Sequence, residues 1–89
     1  MRKKPEIFPE IADEVPWADH VTEYDEAHFI VYVRLLDAKA QDACPEEMAR
    51  IALRIDPEAE PERAQRAVES HLRRARWMSE SGYLDLLTR

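Results

Sequence analysis

The scarcity of glycine is the feature that most constrains the fold of this chain. One glycine occurs in 89 residues, against 36% charged residues. Hairpins and tight turns often need glycine for backbone angles with φ > 0, whereas glycine weakens helices. Hydrophobic residues make up 45% of the chain, enough for one small core. The sequence therefore predicts an all-α fold: a three-helix helix-turn-helix-like domain with a short C-terminal helical element and an irregular N-terminal arm.

Residues 1–21 are predicted to be an irregular or disordered acidic arm, and residues 22–89 the helical helix-turn-helix-like domain. Three of the six prolines lie in the arm, and its apolar residues follow no sustained period. Residues 5–26 contain eight acidic residues and no Lys or Arg. Two interpretations remain open for the arm's apolar residues: they dock on the helices, or they become ordered on a partner protein. These residues are Ile7, Phe8, Ile11, Val15 and Trp17.

The first helix is expected from about Glu23 to Ala40. Thr22 is a candidate N-cap, and the spacing Thr22-x-x-Asp25 resembles a capping box. Apolar residues cover most of the helix surface, which is typical of a helix at the centre of its domain. Asp42 follows where the chain must turn, because Asp tolerates the left-handed conformation.

Two further helices are expected. The second begins at Pro45, which suits the first position of a helix, and its inward residues are predicted to be Met48, Ile51, Ala52 and Ile55. The third runs from about Pro61 to Glu80, and Gly82 is expected to end it with a positive φ. Tyr83, Leu84, Leu86 and Leu87 are then expected to fold back onto the core. The inward face of the third helix is predicted to be Ala64, Ala67, Val68, His71, Leu72, Ala75 and Met78.

Composition and spacing disfavour several classes of function. The three histidines lie on different segments, and the single cysteine completes no zinc motif. Phosphate-binding loops and nucleophile motifs are missing from the sequence. We therefore expect no enzyme activity, no catalytic residue, no cofactor and no metal. Apolar runs fall short of a membrane span, so a cytoplasmic protein, monomeric and without membrane contact, is expected.

Trp77 is predicted to point away from the core face of the third helix. Four arginines neighbour it on the helical wheel: Arg63, Arg66, Arg73 and Arg74. A tryptophan framed by arginines has the composition of an interface hot spot. The alternative is that the arm, or the segment from Tyr83 to Leu87, covers Trp77.

The order of the helices suggests a helix-turn-helix, in which the start of the later helix enters the major groove of DNA. Phosphate contacts require Lys or Arg around that position. Here residues 56–62 carry four acids, and the preceding helix opens with Glu46 and Glu47. The sequence therefore predicts no specific nucleic-acid binding, with DNA binding by a helix-turn-helix regulator kept as the alternative.

Two stretches resemble a bacterial helix-turn-helix-like domain family. The first is residues 29–49, FIVYVRLLDAKAQDACPEEMA, and the second is residues 82–87, GYLDLL. With the third helix, the resemblance covers residues 28–89, and the second stretch is its most specific part. The short, acidic form is similar to QseM-like quorum-sensing antiactivators of integrative and conjugative elements. Three positions depart from the family pattern. Glu46 and Leu84 stand where relatives often have Arg, and Asp42 stands where the family has its turn glycine.

The resemblance implies an antiactivator that binds transcriptional activator proteins. Its implied partners are a LuxR/TraR-type quorum-sensing regulator and an FseA-like excision activator, so that conjugative transfer of the mobile element is repressed. An acidic copy of the domain could compete with DNA for the basic surface of an activator. The residues predicted to form the protein interface are Trp17, Glu46, Glu47, Glu58, Glu60, Arg73, Trp77 and Tyr83.

Overall fold

A computed structural model describes residues 11–82 of the chain. This range contains four α-helices and no strand, which confirms the all-α prediction. The third and fourth helices each continue into a wider π turn, over Ala49–Leu53 and Met78–Gly82. The helices are α1 (Glu23–Ala27), α2 (Phe29–Ala40), α3 (Pro45–Met48) and α4 (Pro61–Trp77).

The predicted first helix is divided at His28. The capping box at its start is confirmed: Thr22 Oγ1 accepts a hydrogen bond from Asp25 N at 3.2 Å, and the Asp25 carboxylate accepts from Thr22 N at 2.9 Å. His28 Nδ1 donates to the carbonyl of Tyr24 at 2.6 Å. A continuous helix would use that carbonyl for the backbone N–H of His28, which here donates to Asp25 O instead. The side chain of His28 therefore competes with its own backbone and separates α1 from α2.

The turn after α2 is the predicted left-handed one. Asp42 has φ 60°, and its N–H donates to the carbonyl of Lys39. Ala43 N donates to Ala38 O at 3.0 Å. These two bonds form a Schellman motif, in which Asp42 takes the position that glycine usually occupies.

The predicted inward position of Ile51 is wrong. Its side chain is 58% exposed, whereas Met48, Ala52 and Ile55 are buried as predicted. The wider π turn after α3 holds more residues per turn than an α-helix, so it rotates Ile51 outward and brings Leu53 into the core.

The seven residues predicted to face inward from the third helix are all buried, six of them in α4 and Met78 in the π turn after it, and several of them pack with Val31 and Leu35 of α2. Gly82 ends the following π turn, but its φ is not positive, so the predicted left-handed stop is wrong. The helix ends in the π turn instead, which brings the Gly82 backbone close to the side chains of Trp77 and Met78. A Cβ atom at this position would lie 2.8 Å from the Trp77 ring. The predicted fold-back of Tyr83 and the leucines after it lies outside the described residues.

Residues 11–21 contain no helix or strand and are hydrogen-bonded to α1 and α4. Val15 and Val21 are buried, and Ile11 packs against the core. Among residues 11–82, no helix is both long and apolar enough to cross a membrane.

Candidate functional site

An ion pair with no solvent exposure joins the start of α1 to α4. Arg74 Nε donates to Asp25 Oδ1 at 3.0 Å, and Arg74 Nη2 donates to Asp25 Oδ2 at 2.6 Å. The Tyr32 hydroxyl donates a further bond to Asp25 Oδ1 at 2.7 Å. Together with the backbone N–H of Thr22, these donors satisfy both oxygens of the carboxylate.

The same guanidinium holds the arm. Arg74 Nη1 donates to the carbonyl of Ala18 at 2.5 Å, and Nη2 donates to the carbonyl of His20 at 2.8 Å. The Arg74 guanidinium carbon lies 3.9 Å from the Trp77 ring centroid and 4.7 Å from that of Trp17. Arg74 therefore connects α1, α4 and the arm through one planar group that also stacks on aromatic rings.

Burial alone would raise the pKa of Asp25, but the hydrogen bonds from Arg74, Thr22 and Tyr32 outweigh it and lower that pKa. Burial raises the pKa of Tyr32, and its hydrogen bond to the Asp25 carboxylate raises it further. The cluster therefore contains a charged carboxylate, a charged guanidinium and a neutral phenol.

Sequence reasoning placed Arg74 beside Trp77, which the structure confirms, but did not predict its burial. The prediction grouped it with the exposed arginines around Trp77, whereas the structure buries it completely. Arg74 follows Ala67 by seven residues, and this spacing returns to nearly the same side of a helix. That spacing was the available signal, but it could not show that Asp25 supplies the partner charge.

Trp17, Arg73 and Trp77, three of the predicted interface residues, lie on one side of the molecule. Trp17 and Trp77 pack edge to face with ring centroids 6.1 Å apart. Trp77 is half-buried, so the arm covers part of it, while Trp17 remains 55% exposed. A shallow groove between the arm and α4 is lined by Trp17, Arg66, Ser70 and Arg73, among others.

Three exposed arginines of α4 form what we call the arginine face: Arg66, Arg73 and Arg76. At about 100° per residue they fall within about a quarter of the helix circumference. No ion pair in residues 11–82 involves any of them. No described residue therefore competes with an anionic ligand for their guanidinium groups.

The predicted interface acids divide into two groups. Glu58 pairs with Arg50 at 3.4 Å, and Glu60 pairs with Arg63 at 3.2 Å, so neighbouring arginines offset both charges. Glu46 and Glu47 are exposed at the start of α3 and form no ion pair with another described residue. The last predicted interface residue, Tyr83, lies outside the range that the structure describes.

A second polar cluster lies inside the domain, around His71. Its Nδ1 donates to the carbonyl of Ala67 at 2.7 Å, so Nε2 accepts from the Tyr24 hydroxyl at 2.5 Å. The Tyr24 oxygen in turn accepts from Ala12 N of the arm at 3.1 Å. Burial lowers the pKa of His71 to about 4. These bonds give His71 a structural role as a neutral imidazole that links α4 to the arm through Tyr24.

The sequence of residues 8–88 matches the RovC DNA-binding domain family, described as "T6SS, Transcription factor, DNA binding domain". This match spans nearly the whole chain. The chain belongs to this family. Membership in a transcription-factor family supports a role in transcription regulation, and the family's description fits the DNA-binding alternative better than the antiactivator prediction. No curated protein gives a significant match to the sequence.

Proposed function

We propose that this chain contacts DNA through the arginine face of α4, as a domain of a transcriptional regulator. The observation that carries the proposal is the exposure of Arg66, Arg73 and Arg76 on one side of this helix without ion-pair partners among residues 11–82. Guanidinium groups bind phosphate oxygens with two parallel hydrogen bonds, and such contacts supply most nonspecific affinity for DNA. The family's description as a DNA-binding domain supports the same function.

The charges of the chain limit where DNA could lie. The net charge is −6, and the start of α4 carries the exposed Glu62. Phosphates would be repelled there while Asp13 and Glu60 hold Arg63, so we place the contact of the wild type nearer the middle and the C-terminal half of α4. Two of the three acids of the preceding loop, Glu58 and Glu60, oppose DNA less than their number suggests because each is paired with an arginine. Binding should be modest and should weaken steeply as salt is added.

The test is a fluorescence-anisotropy titration of a labelled, random-sequence DNA duplex at low ionic strength. The variant Arg66→Gln/Arg73→Gln should bind at least tenfold more weakly, and its salt dependence should be shallower by about one unit per lost phosphate contact. Lys39→Gln is the control for loss of a positive charge outside α4, because Lys39 is exposed on α2 and forms no ion pair among residues 11–82. Equal losses in the control and in the double variant would refute the arginine face as the contact surface.

A second candidate is the antiactivator function, favoured by a different surface. Glu46 and Glu47 at the start of α3, with Glu62 at the start of α4, form what we call the acidic edge. A groove lined by Pro45, Glu46, Pro61 and Gln65 connects the starts of the two helices. In a helix-turn-helix this edge approaches DNA, so its negative charge suits the basic surface of an activator protein better.

Under this second candidate, the acidic edge binds a LuxR/TraR-type activator or an FseA-like activator and represses conjugative transfer. The QseM-like resemblance of residues 28–89 supports the choice of partners. Glu46→Lys/Glu47→Lys should then abolish binding of the purified activator, while Glu23→Lys, which reverses an exposed acid on α1, should not. Under the first candidate, the same double variant should bind DNA more tightly than the wild type does.

A further inference from the structure

We propose that the arm is an autoinhibitory strap: Asp13 forms an ion pair with the guanidinium of Arg63 and so prevents Arg63 from binding a DNA phosphate. The inference rests on the proposed DNA contact. It goes beyond that contact because it assigns a regulatory role to the arm.

The ion pair lies at the N-terminal end of α4. Arg63 Nε donates to Asp13 Oδ1 at 2.7 Å, and both side chains are partly open to solvent, at 39% for Arg63 and 52% for Asp13. Arg63 Nη1 also donates to both oxygens of Glu60, at 3.3 and 3.2 Å. Two carboxylates therefore surround the first arginine of α4, one from the arm and one from the loop.

Arg63 lies next to the arginine face, so its ion pair with Asp13 would affect DNA binding there. Arg63 precedes Arg66 by three residues, which places it one turn earlier on a neighbouring part of the helix surface. The groove beside these turns is lined by Glu14, Trp17 and Arg66. A phosphate backbone that contacts the arginine face would meet the arm next, and Asp13 would compete with a phosphate for the same guanidinium.

The arm is fastened beside α4 by contacts independent of that ion pair. Val15 N donates to Ser70 Oγ at 2.7 Å, and the Val15 side chain is buried. Arg74 donates to two arm carbonyls, as described above. Removing the Asp13 carboxylate should therefore free Arg63 Nε without releasing the arm, while Nη1 stays with Glu60, so the charge effect can be measured separately from folding.

The experiment compares Asp13→Asn with Glu14→Gln in the DNA titration described above. Both changes remove one acid from the arm, but exposed Glu14 forms no ion pair with any residue from 11 to 82. Asp13→Asn should raise the affinity about twofold to fivefold more than Glu14→Gln does, which is the range for releasing one exposed ion pair. Its salt dependence should steepen by about one unit, for one added phosphate contact.

Each comparison is repeated in an Arg63→Gln background, where the specific gain from Asp13→Asn should vanish. The strap is refuted if Asp13→Asn raises the affinity for DNA no more than Glu14→Gln does. It is also refuted if the extra gain in affinity persists in the Arg63→Gln background. If Arg66→Gln/Arg73→Gln weakens binding while Asp13→Asn behaves as Glu14→Gln does, the strap alone fails. If neither the wild type nor Asp13→Asn binds DNA, the proposed DNA contact and the strap both fail.

Discussion

Arg74 and Asp25 are 49 residues apart in the sequence, and their side chains form a two-bond ion pair with no solvent exposure. The same arginine lies over the rings of Trp17 and Trp77 and donates to two carbonyl groups of the arm. This single guanidinium therefore fixes the arm against α4, the helix that carries the proposed DNA contact.

Arg74→Ala should lower the free energy of unfolding by about 3 to 5 kcal/mol, because it leaves the Asp25 carboxylate buried without its partner charge. Urea unfolding followed by circular dichroism measures the change. Arg73→Ala is the matched control: the neighbouring arginine is exposed, and its loss should change stability by less than about 0.5 kcal/mol. Equal effects of the two variants would contradict the structural role of the buried pair.

Stability should fall as the pH drops from about 6.5 toward 4. Burial lowers the pKa of His71 to about 4 in the folded protein, against an ordinary value of 6.5. The unfolded chain therefore binds the proton first, and each pH unit inside this window should cost about 1.4 kcal/mol. Urea unfolding at stepped pH measures the slope.

The carboxylate of Asp25 contributes at lower pH, because its folded pKa is lowered. Its contribution is present above the ordinary value of 3.8 and is lost as the pH falls through the lower folded pKa.

His71→Gln should flatten the slope between pH 6.5 and 4, and His20→Gln, at an exposed histidine, should not. An unchanged slope in His71→Gln would exclude His71 as its source.

Gly82→Ala should destabilise the domain by about 1 to 3 kcal/mol, the usual cost of overpacking. The added Cβ would lie 2.7 Å from Met78 Sδ and 2.8 Å from the Trp77 ring. The methionine side chain can move, but the indole is held by Arg74 and Trp17, so tryptophan fluorescence should change as well. Ser81→Ala, at the exposed neighbouring residue, should leave both stability and fluorescence unchanged.

Ile51 and Ile55 provide a matched pair for testing the π turn after α3. Ile55 is 4% exposed and Ile51 is 58% exposed, although a regular helix would turn both inward. Ile55→Ala should therefore cost about 2 to 5 kcal/mol in urea unfolding, and Ile51→Ala less than about 0.5 kcal/mol. Similar losses at both positions would mean that the segment is a regular α-helix.

Thr22→Ala should cost about 1 kcal/mol, because it removes the acceptor for the N–H of Asp25 at the start of α1. Thr22→Ser retains the hydroxyl and should keep most of the stability. Thermal unfolding of the two variants separates capping from any effect of side-chain size. A loss in the serine variant as large as in the alanine variant would rule out the hydroxyl as the cause.

The sequence by itself determined the features that depend on neighbouring residues. The capping box at Thr22, the left-handed turn at Asp42 and the apolar face of α4 follow from local hydrogen bonding and helical spacing. The break at His28 and the outward rotation of Ile51 could not be predicted in this way. A side chain competes with the backbone in the first case, and a π turn changes the helical phase in the second.

Only the tertiary structure decided which acidic and basic residues form ion pairs with each other. The sequence shows an excess of acids in the arm and of arginines after Pro61, but it does not show that Asp25 and Asp13 take two of those arginines, Arg74 and Arg63. Ion pairs between residues about 50 positions apart arise because packing brings the arm and α1 beside α4. The sequence therefore shows the charge pattern of the chain, whereas the fold decides which arginines of α4 have no ion-pair partner among residues 11–82.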